Sequence, residues 1–207
     1  MNDLPAYKNN PRIFRLKSAT TSAFALIWLC SIIFGLRVLW VYDTKPGLTA
    51  QSSDQRPSSS AVLRWEGNAA ILMFAHPHCP CTRASLAELA RIMSHSPHSL
   101  SAWVLFYRPE NSPSGWEKTD LYAQAKATPG VRAFTDVDGK EARRLHAMTS
   151  GHTLVYDVSG KLVFSGGVTS SRGNEGDNPG SEAIIAWMRG SKNQITRTPV
   201  FGCSILK

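Results

Sequence analysis

The feature that most constrains the fold is an apolar strand pattern that runs directly into a pair of cysteines. Residues 69–75 (AAILMFA) are uninterrupted apolar residues, which is typical of a strand covered on both faces of a sheet. After a short turn come Cys79, Pro80 and Cys81, and then apolar residues at helical spacing as far as residue 94. Proline fits the first turn of a helix, because its missing N–H would have no intrahelical partner there. We therefore predict a strand, a tight turn carrying two thiols, and a helix.

The rest of this region alternates between strand and helix patterns. The expected elements are, in order, a strand over 102–107, a helix over 120–127, a short strand over 131–134, a helix over 140–148, a hairpin over 152–165 and a helix over 181–189. Alternation of this kind predicts an α/β fold, with a mixed sheet flanked by helices.

A second apolar run, over residues 19–42, predicts one transmembrane helix before this domain. As a helix it would be about 36 Å long, enough to cross a hydrocarbon layer of about 30 Å. The preceding arm, residues 1–18, is basic, which predicts a cytoplasmic N-terminus and a domain on the other side of the membrane. A cleaved signal peptide is the alternative, although its apolar core would be unusually long.

The chain then divides into three further parts. Residues 43–60 are rich in Ser, Pro and Gln and predict a flexible linker, residues 61–190 form the α/β domain, and residues 191–207 form a C-terminal tail. In a bacterium the domain would be periplasmic, where disulfides persist. The net charge of +8 permits an anionic partner, but the chain has no Lys/Arg block of the kind that binds nucleic acid, so none is expected.

The placement of Cys79 and Cys81 predicts reactive thiols. The N-terminus of a helix presents unpaired N–H groups and the positive end of the helix dipole, which stabilise a thiolate. A thiolate formed there is a nucleophile or a ligand for a soft metal at neutral pH. The alternative is a pair of inert buried thiols.

The pattern resembles the thioredoxin-like superfamily over roughly residues 61–189. The resemblance rests on the order strand, Cys-Pro-Cys, helix, late hairpin and terminal helix, and it is closest to membrane-tethered bacterial members of the TlpA-like and Sco-like types. The segments HPHCPCTRASL, SRGNEGDN and TPVFGC are also similar to a small family known as RedB. The resemblance implies a thiol–disulfide oxidoreductase in which Cys79 attacks the sulfur of a protein partner and Cys81 releases it, with no cofactor required.

Two features depart from the usual thioredoxin-like pattern. One residue rather than two separates the cysteines, so a disulfide between them would close a tighter ring. A third thiol, Cys203, leaves an odd number of thiols outside the apolar span. Cys203 is either inert, a transient partner of a motif cysteine that could itself release the substrate, or a third ligand.

Histidines near the cysteines suggest a second function. Sco-like proteins place a metal-binding histidine before the strand that corresponds to residues 153–156, and His152 stands at this position. Cys79, Cys81 and His152 would then be a plausible set of ligands for Cu(I) in a copper chaperone. His76 and His78 either tune the charge of the thiolate or are ordinary loop histidines.

Overall fold

The chain forms two units in a computed structural model. The structure describes residues 11–49, 52–56, 68–96, 100–191 and 195–206, and of residues 11–19 it describes only the backbone. The units are Met1–Asp43 and Thr44–Lys207.

The first unit contains one long helix, α1, over Pro11–Thr44. Its part from Thr20 to Thr44 has 25 residues, a mean hydropathy of 2.2 and no buried residue in its most apolar window. This helix is long and apolar enough to cross a membrane, although a signal sequence would meet the same description. It extends the helix predicted over residues 19–42 at both ends.

The second unit is a five-stranded mixed sheet flanked by helices. The strands lie in the order β3-β2-β1-β4-β5, with β1, β2 and β3 parallel to one another and β4 antiparallel to both β1 and β5. The elements are β1 (Ala69–Ala75), α2 (Cys81–Ser94), β2 (Leu100–Arg108), α3 (Asp120–Ala127), β3 (Val131–Val137), α4 (Lys140–Arg144), β4 (Thr153–Tyr156), β5 (Leu162–Gly166) and α5 (Pro179–Met188). This is the mixed α/β arrangement expected from the sequence.

The central strand β1 divides the core into two layers. Side chains alternate along a strand, so Ile71 and Met73 face one layer and Leu72 and Phe74 face the other. The first layer also holds the apolar faces of α2 and α5, and the second holds α4. Because both faces of β1 are covered, its sequence is apolar throughout, as predicted.

Helix α4 is shorter than the helix predicted over residues 140–148. It ends at Arg144, and His146 has a φ of 57°, in the left-handed region that a helix cannot continue through. Leu145 and Ala147 are nevertheless buried in the core. The apolar spacing that suggested a longer helix therefore belongs to an irregular segment packed against the sheet.

The segment predicted as a flexible linker, residues 43–60, contacts the domain in its described part. The Gly47 N–H donates to the Val200 carbonyl over 2.8 Å, and the Arg56 N–H donates to the Gly160 carbonyl over 2.8 Å. Polar composition suggested a free tether, but these backbone groups have partners on the domain surface. The structure therefore differs from the expectation over residues 45–49 and 52–56.

Candidate functional site

Cys79 lies in the turn between β1 and α2. Its N–H donates to the His76 carbonyl over 3.1 Å, and its own carbonyl accepts the Thr82 N–H over 3.0 Å. Pro80 already has helical dihedral angles, with φ −57° and ψ −33°. The Cys79 side chain therefore stands where the unpaired N–H groups and the positive dipole end of α2 are concentrated, as predicted.

The C-terminal segment, residues 195–206, carries Cys203 to the same place. The Ser150 N–H donates to the Cys203 carbonyl over 2.8 Å, and the Ile205 N–H donates to the Met148 carbonyl over 2.9 Å. An antiparallel bridge joins Ser204 to the segment before β4. The result is that Sγ of Cys203 lies 2.8 Å from Sγ of Cys79.

Burial and hydrogen bonding act against each other on the Cys79 thiol. Its residue is only 1% exposed, and burial by itself would raise the pKa. Hydrogen bonds outweigh this effect, so the pKa of Cys79 is lowered. The donors are the Cys203 thiol, the Cys203 backbone N–H and the Cys81 backbone N–H. Cys79 is thus the member of the cluster that holds a thiolate most readily, and as a thiolate it accepts a hydrogen bond from the Cys203 thiol.

The other two thiols are shifted in the opposite direction. Burial raises the pKa of Cys81, and so do the charge of Cys79 and the hydrogen bond to it, against a lowering by Arg172. Burial, followed by the hydrogen bond to Cys79 and its charge, raises the pKa of Cys203 to about 12. One thiolate therefore lies beside two thiols that keep their protons.

Arg172 connects the glycine-rich loop before α5 to this cluster. Its Nη1 donates to the Gly202 carbonyl, and its Nη2 lies 3.4 Å from the Lys45 carbonyl. Its positive charge partly opposes the rise in the pKa values of Cys81 and Cys203. Arg172 therefore holds the backbone next to Cys203 and supplies the cation of the site.

A buried hydroxyl network supports the turn that holds Cys79. The Thr82 hydroxyl donates to the His76 carbonyl over 3.1 Å and lies 2.8 Å from the Ser150 hydroxyl, which accepts the His76 N–H over 2.9 Å. Thr82 and Ser150 are each 1% exposed. The network ties the start of α2 to the segment on which Cys203 is held.

His76 and His78 lie in an aromatic cluster beside the turn. The His76 ring stacks on Tyr107 at 5.9 Å between centroids, and the His78 ring meets Trp116 edge-on at 4.4 Å. Nδ1 of His76 accepts the His78 N–H over 3.2 Å, and Nε2 of His78 lies 3.2 Å from the Trp116 carbonyl. Both histidines shape the turn, and their influence on the thiolate stays a prediction.

His152 is oriented towards β5. It is 1% exposed, and its Nε2 lies 3.0 Å from the Ser165 hydroxyl. Burial lowers its pKa to about 4, so the ring is neutral at physiological pH. Within the part of the chain that the structure describes, no three His, Cys, Asp or Glu side chains are grouped so that they could hold a metal ion. The geometry thus gives no support to the predicted Cu(I) ligand set Cys79, Cys81 and His152.

The structure brings together Cys79, Cys81 and Cys203, and all four cysteines of the chain, including Cys30, are free. Sequence reasoning missed Thr82, Ser150 and Arg172. Thr82 directly follows the cysteine motif and could have been considered, but nothing in a single sequence indicates that residues 150 and 172 lie beside residue 79.

Many solved structures are similar to this chain, among them the following three. A hypothetical protein from Sinorhizobium meliloti 1021 has a TM-score of 0.53 and 20% identity, over 68% of this chain and 80% of that one. An uncharacterized conserved protein from Geobacillus kaustophilus has a TM-score of 0.56 and 23% identity, over 79% and 93%. A secreted disulfide oxidoreductase from Mycobacterium tuberculosis has a lower TM-score, 0.42, with 16% identity over 60% and 82%.

No protein-family model matches the chain, and no curated protein matches it. At these identities the similar structures show the fold alone. The fold class is thioredoxin-like, a mixed sheet flanked by helices and preceded by an apolar helix, as predicted. The finer resemblance to TlpA-like, Sco-like and RedB proteins stays a prediction.

Proposed function

We propose that the protein is a membrane-anchored thiol–disulfide oxidoreductase that acts outside the cytoplasm, with Cys79 as its attacking thiolate. The observation that carries the proposal is the three-thiol cluster at the start of α2, in which Cys79 has a lowered pKa. Thiolates are the reactive form in disulfide exchange, and a second thiol within reach is what a dithiol mechanism needs.

The reaction class follows from these groups. The Cys79 thiolate attacks one sulfur of a partner protein's disulfide, a mixed disulfide forms, and the partner's other sulfur leaves as a thiolate. A second thiol of the cluster then attacks Sγ of Cys79 and releases the partner. Run in reverse, the same steps oxidise a partner's thiols, and the chemistry requires no cofactor.

The proposed location is the bacterial inner membrane, with a cytoplasmic N-terminus and a periplasmic domain. The support is the length and hydropathy of α1, together with the basic residues that precede its apolar part. An oxidising compartment also suits a site built from three thiols.

The copper-chaperone alternative is not carried forward. It depended on a convergence of His152 with the two motif cysteines, whereas the His152 ring is bound to Ser165. We favour thiol exchange because each of its participants lies in the described cluster.

The proposal is tested by measuring the kinetics of disulfide exchange with the full chain in detergent. The rate of reaction with a fluorogenic glutathione disulfide is expected to fall by about 100-fold or more in Cys79→Ser, because the attacking thiolate is gone. Cys30→Ser, which removes the thiol on α1, is the matched control and should keep the rate. An unchanged rate in Cys79→Ser would rule out the proposed function.

A further inference from the structure

The path of the C-terminal segment shows that Cys203 is held in place by several contacts. The Ser165 N–H donates to the Thr196 carbonyl over 2.9 Å, and the Thr198 hydroxyl donates to the Gly167 carbonyl over 2.8 Å. The segment therefore follows the edge of β5 before it turns towards α2. Its position beside the site is built by backbone hydrogen bonds rather than by a single contact.

The last part of this segment, residues 202–205, is seated on the stretch before β4. A Cβ added at Gly202 would lie 2.0 Å from the Ser150 carbonyl oxygen, so the two backbones are in closer contact than any side chain would permit. Val200 and Ile205 are buried on either side of Cys203. These contacts hold the Cys203 thiol beside Cys79 in this structure.

The geometry favours Cys203 over Cys81 as the partner of Cys79. Sγ of Cys203 is 2.8 Å from Sγ of Cys79, against about 2.05 Å in a disulfide. The Cys81 side chain also hydrogen-bonds to Cys79, but Cys81 is the first residue of α2 and only Pro80 separates the two cysteines. A bond between Cys79 and Cys81 would need the first turn to change around Pro80, whose φ is restricted by its ring.

The charges of the site make the reactivity of Cys203 depend on the state of Cys79. Burial contributes most to the raised pKa of Cys203, and while Cys79 is a thiolate its hydrogen bond and its negative charge raise this pKa further. Once Cys79 is bonded to a partner sulfur this charge is gone, and Arg172 remains as the charged group that favours a Cys203 thiolate. Loss of the Cys79 charge therefore lowers the pKa of Cys203, which makes Cys203 a better nucleophile once the mixed disulfide exists.

Burial of Cys79 implies that the segment moves during the reaction. The residue is 1% exposed and its sulfur faces Cys203. A partner sulfur reaches Cys79 after residues 202–205 leave the stretch before β4, and the return of these residues brings Cys203 back.

We propose that Cys203, carried by residues 202–205 as a movable flap, is the thiol that resolves the mixed disulfide on Cys79, so that the redox couple is Cys79–Cys203 and Cys81 stays reduced. This inference rests on the proposed function. In the resolving step the Cys203 thiol loses its proton to water and its sulfur attacks Sγ of Cys79. The Cys79–Cys203 bond forms, the bond between Cys79 and the partner breaks, and the partner sulfur leaves with the electron pair and takes up a proton.

The test uses the full chain in detergent, with Cys30→Ser throughout and oxidised glutathione as the probe. After reaction, acid quenching and alkylation, peptide mapping of the parent chain should show a Cys79–Cys203 disulfide and an alkylated Cys81. Cys203→Ser should accumulate glutathione on Cys79, with a lifetime about tenfold longer or more, because an intramolecular nucleophile has been removed. Cys81→Ser should behave as the parent does.

Ser191→Ala, which is exposed and outside residues 202–205, is the control and should leave the adduct lifetime unchanged. A Cys79–Cys81 disulfide in the parent, with adduct accumulation in Cys81→Ser but not in Cys203→Ser, would overturn the inference and leave the proposed function standing. Absence of a glutathione adduct on Cys79 in every variant, with no disulfide in the parent, would overturn both. The map of the parent chain needs no substitution and decides the pairing even if a variant misfolds.

Discussion

At the scale of single residues, the reactivity of Cys79 depends on groups that lie far away in the sequence. Its hydrogen-bond partner Cys203 is 124 positions away. Burial favours the protonated thiol, and the hydrogen-bond donors around Cys79 lower its pKa and so favour the thiolate. The helix terminus alone, visible in the sequence, does not account for the site.

The first prediction concerns the pH dependence of Cys79. The thiolate is the reactive form, so its alkylation rate rises as the pH passes its pKa. Cys203→Ala removes a thiol that donates to Cys79, so the midpoint of the profile should move to higher pH. Mass-spectrometric measurement of iodoacetamide labelling at Cys79 checks this, with Ser191→Ala as the control. A midpoint that stays in place or moves lower would contradict the assigned donor.

A second prediction concerns His152 and acid stability. The folded pKa is about 4, while an unfolded histidine has about 6.5, so between these values only the unfolded state binds the proton. The free energy of unfolding should therefore fall as the pH decreases from 6.5 towards 4, and His152→Gln should weaken this dependence by roughly 3 kcal/mol.

Denaturant unfolding at pH 7 and at pH 4.5 measures that difference. His95→Gln, at the exposed end of α2, is the matched control and should keep the pH dependence of the parent chain. If His152→Gln shows the same fall in stability as the parent, the buried neutral ring is not its source.

At the scale of elements, the thiols and the turn that holds Cys79 are assembled from four pieces: the end of β1, the start of α2, the stretch before β4 and the C-terminal segment. The first two pieces are adjacent in sequence, and their arrangement follows from an apolar run, a turn and a helix pattern. The last two meet only because the antiparallel pairing of β1 and β4 brings residues 148–150 to the end of β1.

Gly202→Ala should affect the two steps of exchange in opposite directions. The new Cβ would lie 2.0 Å from the Ser150 carbonyl oxygen and would push residues 202–205 outwards. Cys79 should then be attacked faster by oxidised glutathione, while the resulting adduct should persist longer because Cys203 is displaced. Stopped-flow measurement of both steps checks this, and slowing or acceleration of both together would contradict a flap.

The sequence could predict much of the fold for specific physical reasons. Strand β1 is covered on both faces and is apolar throughout, and the helices α2 and α5 carry clear apolar faces. The length of α4 was overestimated because Leu145 and Ala147 are buried without being helical. Periodicity reports burial, and it cannot distinguish a helix from an irregular segment that packs equally well.

The candidate site was predictable only in part. The Cys79–Pro80–Cys81 turn is local, so its helix-terminal position could be read from neighbouring residues. Other features depend on tertiary structure, because β pairing and the path of residues 195–206 determine them. They are the contact with Cys203, the position of the Arg172 cation and the direction of the His152 ring. A resemblance suggested a histidine ligand at residue 152, where Nε2 of the ring lies 3.0 Å from the Ser165 hydroxyl, and the ligand role stays a prediction.

At the scale of the whole molecule, the apolar helix α1 and the thiol-bearing domain predict an enzyme held at a membrane. The full chain should stay with membranes after an alkaline carbonate wash, because the 25-residue span is hydrophobic enough to remain inserted. A chain from which residues 1–43 are deleted should be released by the same wash. Recovery of a full chain cut near residue 50 and free of the membrane would instead identify a signal peptide.

A glutathione redox titration of the full chain tests the central claim most directly. The four free cysteines are counted by alkylation as the ratio of oxidised to reduced glutathione rises. We predict one reversible transition in which the count falls from four to two, with Cys79 and Cys203 lost together and with Cys30 and Cys81 still alkylated. Retention of Cys79 as a free thiol at every ratio would contradict the account.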